Sequence, residues 1–344
     1  MKTNLKQQNL YEKVRQTIAR EGLIAPGDKV WVAVSGGADS MALLHVLAAI
    51  TNKEPVTLGI LHVHHGLRPA SDVEWGFVEN TARTLGMPFF GERTDVLRRK
   101  EEMKMSVEET AREERLRIYQ KALSETGFTK VATAHHADDQ AELFFLRLFR
   151  GSGTLGLSGM AYQRPKGLIR PFLEVQKKEI LDFMNEQALL FCEDESNADM
   201  RFDRNRIRHK LLPLLEEEYA PQIKEALHRL SQITREEEMW LAKITQEAYE
   251  KAVKKDGDSY KIELNVFQTF SIALQRRLLR NVILNMNGNL RRITFDHIAD
   301  IVRLTCAVST EPQTVNLPGI CVVRKNQTLW WLKKKEGQRF CEDL

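Results

Sequence analysis

The sequence predicts an α/β protein whose doubly wound, mostly parallel sheet is followed by a second, mainly helical domain. Three observations carry this expectation. Short apolar runs alternate with helical patterns through the first half of the chain, the arrangement that builds βαβ units and parallel strands. A pair of glycines sits at the seam between an apolar strand and an apolar helix in "KVWVAVSGGADSMALLHVLAAI", Lys29–Ile50. Near Pro213 the texture changes to long charged helical stretches. At 344 residues the chain is also long for one core, which favours two domains.

The elements follow in order. An amphipathic helix is expected around Leu10–Glu21. Strand candidates are Lys29–Val34, Val56–Val63, Pro88–Thr94 and Lys130–Ala134, with helical patterns at Met41–Ile50, Asp72–Leu85, Val107–Thr126 and Asp138–Phe149. Pro221–Asp258 reads as one long charged helical stretch, followed by helices at Phe267–Met286 and Phe295–Leu304. The segment "VNLPGICVVRKNQTLWWLKKK" reads as short strands around an Asn326-Gln327 turn. The expected domains are therefore 1–213 and 214–344, the second entered by the long helix as connector.

Composition narrows the setting. The longest apolar stretch, Met41–Ile50, is interrupted by His45 and is too short to cross a bilayer. The opening "MKTNLKQQNLYEKVRQ" lacks the apolar core of a secretory signal. Cys192, Cys306, Cys321 and Cys341 form no C-x-x-C pair and no metal-ligand spacing, as expected of reduced thiols in a cytoplasmic protein. The net charge of +4 is modest, but arginines cluster. Arg201, Arg204, Arg206, Arg208, His209 and Lys210 form one group, Arg276, Arg277 and Arg280 a second, with Arg291 and Arg292 close behind. Clustered cations on a near-neutral chain suit a polyanion, and solvated helix faces are the competing explanation.

The chemistry-bearing residues fall at strand ends, where open α/β sheets bind ligands. Ser35–Ser40 follows the first strand, "HHGLRP" (His64–Pro69) the second and "HHADDQAE" (His135–Glu142) the fourth. Ser35, Gly36, Gly37, Ala38, Asp39 and Ser40 make a strand–turn–helix seam whose unpaired backbone N–H groups suit a phosphate. The glycines allow close approach and dihedrals closed to other residues. Neither G-x-x-x-x-G-K-[ST] nor G-x-G-x-x-G is present. Asp39 fits a Mg²⁺ ion lying between carboxylate and phosphate, or a simple helix cap. Asp138, Asp139 and Glu142 open one helix, Asp139 and Glu142 sharing a face. They suit a cationic ligand or merely complement the helix dipole. A metal trio of His64, His65 and His135 lacks any zinc spacing and is rejected.

"SGGADS" resembles the pyrophosphate-binding loop of the N-type ATP pyrophosphatases, the PP-loop enzymes with a Rossmann-like domain. Within that group the chain is similar to the tRNA(Ile)-lysidine synthetases over about its first 215 residues. The resemblance rests on "HVHHGLRP", "ETAREERLRIY" (Glu109–Tyr119), "AHHADDQAE", "RGSGTLGLSGM" (Arg150–Met160), "IRPF" and "EDESNADMRFDRNRIRHKLLP" (Glu193–Pro213), in the family's order. Leu143 and His64 depart from the family pattern, which commonly has Thr and Asp there. The family adenylates carbon-2 of the wobble cytidine of a CAU anticodon with ATP, and the ε-amine of free L-lysine displaces AMP.

The resemblance implies ATP with Mg²⁺ as cofactors, and tRNA(Ile) and lysine as partners. It gives Asp139 and Glu142 the lysine, and Arg112 the charge developing on the ATP α-phosphate. His65 and His136 are candidates to contact nucleotide or substrate. Asp138, Arg204, Asn205 and Arg208 complete the substrate set, the arginines serving ATP or the tRNA backbone. Arg276, Arg277, Arg280, Arg291 and Arg292 are expected to bind tRNA phosphates. No membrane partner is expected, and a homodimer is one candidate assembly. Two alternatives stand beside this reading. One is a tRNA thiolase of the same fold, which the missing C-x-x-C disfavours. The other is a catalytically inactive tRNA- or nucleotide-binding module.

Overall fold

The structure is a computed structural model that describes residues 2–67, 70–192, 200–307 and 311–333. Arg68, Pro69, Glu193–Asp199 and Cys341, which belong to segments singled out in the sequence, lie outside the described residues. The chain forms two compact units, Met1–Arg235 and Glu236–Leu344. No described helix is long and apolar enough to cross a membrane.

The first unit opens with α1 (Lys2–Arg20), β1 (Lys29–Ala33), α2 (Ala38–Thr51), β2 (Thr57–His64), α3 (Ala70–Thr84) and β3 (Phe89–Arg93). It continues through α4 (Val96–Met103), α5 (Val107–Thr126), β4 (Lys130–Ala132), α6 (Ala137–Phe149) and α7 (Thr154–Leu157). Then come β5 (Gln163–Arg164), β6 (Leu168–Ile169), α8 (Lys177–Glu186), α9 (Asp203–Arg206), a π-helical turn at Ile207–Leu211 and α10 (Leu212–Glu218). The division between the units falls inside α11 (Ile223–Ala252).

The sheet order is β3-β2-β1-β4-β6-β5, parallel except for the β5–β6 pair. The centre of the sheet is buried on both faces: Val30 and Val32 point into one cluster and Trp31 into another. That is why β1 reads as an unbroken apolar run rather than an alternation. Helix α2 buries Met41, Ala42, Leu43, Leu44, Val46 and Leu47, and a helix apolar on nearly every side belongs in the interior. Helix α5 is fixed by its ends. Ser106 and Glu109 form a capping box, and Gly127 closes the C-terminus at φ 69°.

The second unit holds β7 (Val253–Asp256), β8 (Ser259–Glu263), α12 (Leu264–Phe267), α13 (Ile272–Asn287), α14 (Phe295–Cys306), β9 (Gln313–Leu317), β10 (Ile320–Lys325) and β11 (Thr328–Lys333). Its antiparallel sheet runs β7-β8-β11-β10-β9, and its helices share a core with Trp331, Val322 and Ile283. The β10–β11 hairpin turns at Asn326-Gln327, as its sequence indicates, with Asn326 at φ 57°.

The long helical stretch ends earlier than its charge pattern suggested. Helix α11 stops at Ala252, and Val253–Asp256 pairs with β8 through a Gly257-Asp258 turn. Exposed lysines at 254 and 255 mask the strand alternation. The two-residue strands β5 and β6 are too short to leave any period.

Gly59 sets how closely β1 and β2 can be covered. It lies opposite Trp31 in the register, and a Cβ there would sit 2.3 Å from the indole. The indole cannot move aside, being 2% exposed and stacked on Phe128 at 3.8 Å between ring centroids. Gly59→Ala is therefore expected to destabilise the protein by about 1–3 kcal/mol, read as a lower urea midpoint.

Candidate active site

Strands β1 and β4 are neighbours at the middle of the sheet, with β2 on one flank and β6 on the other. Chains leaving two adjacent strand ends in opposite directions open a crevice there. The loop after β1 and the start of α6 after β4 line it.

The loop is held to itself. Gly36 has φ +97° and its carbonyl accepts from the Cys192 N–H at 2.9 Å. The Ser40 hydroxyl accepts from the Ser35 N–H at 3.1 Å and donates to the Gly37 carbonyl at 2.9 Å. Ser35 Oγ accepts from the Gly37 N–H at 3.3 Å. Both serines thus shape the loop, and the N-terminus of α2 receives no side-chain cap. Asp39 sits in the first turn without capping it, so the cap explanation fails. Its Oδ1 meets Lys177 Nζ at 2.5 Å, and its Oδ2 is 3.7 Å from His136 Nε2.

His136, 3% exposed, is the hub of the crevice. Its ring nitrogens lie 3.6 Å from Asp139, 3.7 Å from Asp138 and 3.7 Å from Asp39. Burial alone would lower its pKa, but Asp139, Asp138 and Asp39 together raise it to about 10. An imidazolium is the stable form. Its carboxylates respond in kind. Burial would raise Asp39 and Asp139, yet His136 with Lys177 lowers the first, and His136 with Arg204 brings the second to about 2. Asp138 is lowered too, through His136, Lys224 and the Lys177 N–H. It accepts from that N–H at 2.8 Å and from Lys224 Nζ at 2.8 Å.

Asp139 and Glu142 form a buried carboxylate pair one helical turn apart. The Asp139 carboxylate also accepts from the His136 N–H at 3.0 Å, tying down the start of α6. Two guanidiniums occupy the pair. Arg204 reaches Asp139 at 2.6 Å and Glu142 at 2.6 Å, and Arg208 reaches Glu142 at 2.5 Å. Asn205 is buried in the same short helix. His65, from the end of β2, is held near pKa 4 by burial and by Arg115, and its buried Nδ1 has no hydrogen-bond partner among the described residues. A neutral imidazole with an unused ring nitrogen is equipped to meet a polar ligand.

Comparison with known proteins decides the family. A family model described as a PP-loop domain matches residues 5–215, and one described as the TilS substrate binding domain matches 263–330. The chain is 37% identical over 310 residues to a tRNA(Ile)-lysidine synthase of Geobacter sulfurreducens, covering 88% of this chain and 65% of that protein. It is 36% identical over 313 residues to the tRNA(Ile)-lysidine synthase of Solibacter usitatus, covering 90% and 68%. The chain belongs to the tRNA(Ile)-lysidine synthase family. It spans about two thirds of the length of these relatives. Among solved structures, the U34-tRNA thiolase NcsA of Methanococcus maripaludis, described with its [4Fe-4S] cluster, matches with TM-score 0.59 at 19% identity. That match covers 68% of this chain and 80% of the thiolase, and it shows the shared fold.

Within this lysidine synthase family member, the fold gathers Ser35–Ser40, His136, Asp138, Asp139, Glu142, Arg204 and Arg208 into one crevice. Arg112 stands apart from the carboxylates. It is exposed on α5, and its charge acts on Arg147 and Arg170. The arginines of the second unit have separate circumstances. Arg277 forms a two-pronged pair with Glu238, Arg276 lies over the Phe295 ring at 4.8 Å, Arg280 is half-buried, and Arg291 and Arg292 are exposed. Sequence reading missed Lys177 and Lys224, whose partners are 138 and 86 residues distant and invisible to any local pattern. The Lys177-Lys178 pair opening α8, separated by four residues from the "IRPF" segment, was the available signal.

Asp139 gives a pH signature. Its folded pKa of about 2 lies below the unfolded value of about 3.9. Its contribution is therefore present above pH ~4 and lost as the pH falls toward 2. The parent protein should lose about 2–3 kcal/mol more across that window than Asp139→Asn, as read from urea unfolding at each pH.

Proposed function

We propose that the chain uses ATP to join free L-lysine to carbon-2 of the wobble cytidine in the CAU anticodon of tRNA(Ile). The observation that carries this reading is the Asp139–Glu142 pair. It is a deeply buried dicarboxylate, close to a phosphate-type loop, that holds cationic nitrogens at 2.6 Å. A lysine ammonium is a ligand of that charge and reach. When it enters, Arg204 and Arg208 yield part of the carboxylates and turn toward phosphate, for which their planar forks are suited.

In the first step the cytidine O2 attacks the ATP α-phosphorus and pyrophosphate departs. The loop and the uncapped start of α2 hold the departing phosphates. Asp39 is a partly exposed hard-oxygen donor, which fits a Mg²⁺ ion retained mainly by phosphates and water. Magnesium bound there would neutralise phosphate charge, and Lys177 would then be released from Asp39. Arg112 adds positive charge where the α-phosphate becomes more negative.

In the second step the lysine ammonium first gives a proton to solvent water, its ε-amine attacks carbon-2, and the C2–O bond breaks to release AMP, forming the C–N bond of lysidine. With its pKa near 2, Asp139 orients the ammonium rather than removing its proton. The half beyond the catalytic unit supplies tRNA contacts, with Arg280, Arg291 and Arg292 as its available cations.

Incubation with ATP, lysine and a CAU-anticodon tRNA, followed by mass spectrometry of the anticodon nucleoside, tests the reaction directly. Unmodified cytidine in the presence of ATP turnover would sink it. Glu142→Gln removes a charge-assisted contact of about 1.5–3 kcal/mol to the ammonium. It should raise the KM for lysine at least tenfold while changing that for ATP little. Equal effects on both would place Glu142 outside the lysine pocket.

A further inference from the structure

Away from the carboxylate crevice, the first unit contains a positive cluster that forms no ion pair with an acid among the described residues. Three guanidiniums converge on the carbonyls of one short loop. Arg147 donates to Gly156 at 2.5 Å and to Gly159 at 3.1 Å. Arg235 donates to Ser158 at 3.1 Å and to Met160 at 2.6 Å, and Arg170 donates to Ala161 at 2.6 Å. Gln140 clamps the same loop by bonding both the N–H and the carbonyl of Met160. Gly159, at φ +72°, leaves no space for a Cβ, which would lie 2.6 Å from the Gln140 amide oxygen. The loop is thus rigidly built.

The cations around it are more numerous than the loop requires. Arg147, Arg164, Arg170, Arg235 and Arg112 form no ion pair among the described residues. Arg170 is 4% exposed, yet its Nε has no hydrogen-bond partner. Burial first, and then the charges of Arg164, Arg112 and Arg235, outweigh Tyr119 and hold its pKa down near 10. An unpaired buried charge is strongly unfavourable, so such a group persists where a partner of opposite sign completes it.

We propose that Arg147, Arg164, Arg170 and Arg235 form a binding site for phosphodiester groups of the RNA substrate. Two features favour RNA over the phosphates of ATP. Arg147 lies ten residues along α6 from its start at Ala137, about 15 Å at 1.5 Å per residue, which separates it from the carboxylate end of the same helix. A polynucleotide spans both ends. Exposed apolar groups also flank the cluster: Phe149 is 66% and Leu155 64% exposed. Basic groups interleaved with exposed apolar surface suit a nucleic acid whose bases stack beside its backbone. The inference rests on the tRNA reading above and adds to it the place where the catalytic unit grips the chain.

The test compares the parent protein with Arg164→Gln and Arg170→Gln. Binding of a CAU-anticodon stem-loop RNA is measured across a salt series, with ATP binding and thermal midpoint measured alongside. Each variant should weaken RNA binding about tenfold and lower the salt slope by about 0.7–0.9 per lost contact. ATP affinity should stay as in the parent. Because Arg170 is an uncompensated charge in the RNA-free protein, Arg170→Gln should keep or raise the midpoint. A lower midpoint with unchanged RNA affinity would make Arg170 a loop brace and overturn the proposal. Weakened ATP binding with intact RNA binding would assign the cluster to the nucleotide, overturning it as well. Should Arg170→Gln not fold, Arg164→Gln decides alone, since its side chain is exposed. A parent that makes lysidine while both variants bind RNA normally refutes only this site. A parent that binds no RNA refutes the tRNA reading itself.

Discussion

The crevice depends on one buried imidazolium. His136 is flanked by carboxylates from the α2 turn and from the α6 start, and it is the charge that lets Asp39, Asp138 and Asp139 approach one another. Three carboxylates in a low-dielectric pocket would otherwise repel or take up protons. With His136 charged, and with Lys177, Lys224, Arg204 and Arg208 around the rim, each acid remains ionised. Charge balance here is distributed across a network, and each member is held by several others.

That network also ties together segments remote in sequence. Lys177 reaches Asp39 with its side chain and Asp138 with its backbone N–H, so the start of α8 bridges α2 and α6. Ala137 donates to the Val175 carbonyl at 2.8 Å, adding a backbone link between the same segments. The phosphate-type loop, the dicarboxylate and the helix behind them therefore behave as one preorganised surface. Preorganisation matters for group transfer because dipoles already aimed at developing charge need not reorient during the reaction.

Two sets of arginines take opposite roles in the first unit. Arg204 and Arg208 are paired with Asp139 and Glu142, so they neutralise these acids where the lysine ammonium is proposed to bind. Arg147 and Arg170 donate to carbonyls, and Arg235 donates to carbonyls and lies over the Tyr162 ring at 5.1 Å, so among the described residues their charges meet no acid. The proposed cation and anion sites lie along the same helix, α6. This separation is the electrostatic arrangement expected where a small ammonium must meet a base carried on a polyanionic chain.

The sequence by itself determined the parallel α/β fold, because β1 and α2 carry unbroken apolar runs with a glycine seam between them. It also determined the phosphate-type loop, the start of α6 and the β10–β11 turn, because local periodicity and turn chemistry act over a few residues. Tertiary structure alone decided the partners. That Asp39 meets Lys177 and that Arg277 meets Glu238 depend on contacts across 138 and 39 residues, and the buried Arg170 Nε finds no hydrogen-bond partner among the described residues. Strand β7 was hidden for a related reason, since its lysines mimic a charged helix until β8 lies beside it. Local chemistry writes the elements into the chain, but ion pairing is settled by whichever charges the fold brings within a few ångströms.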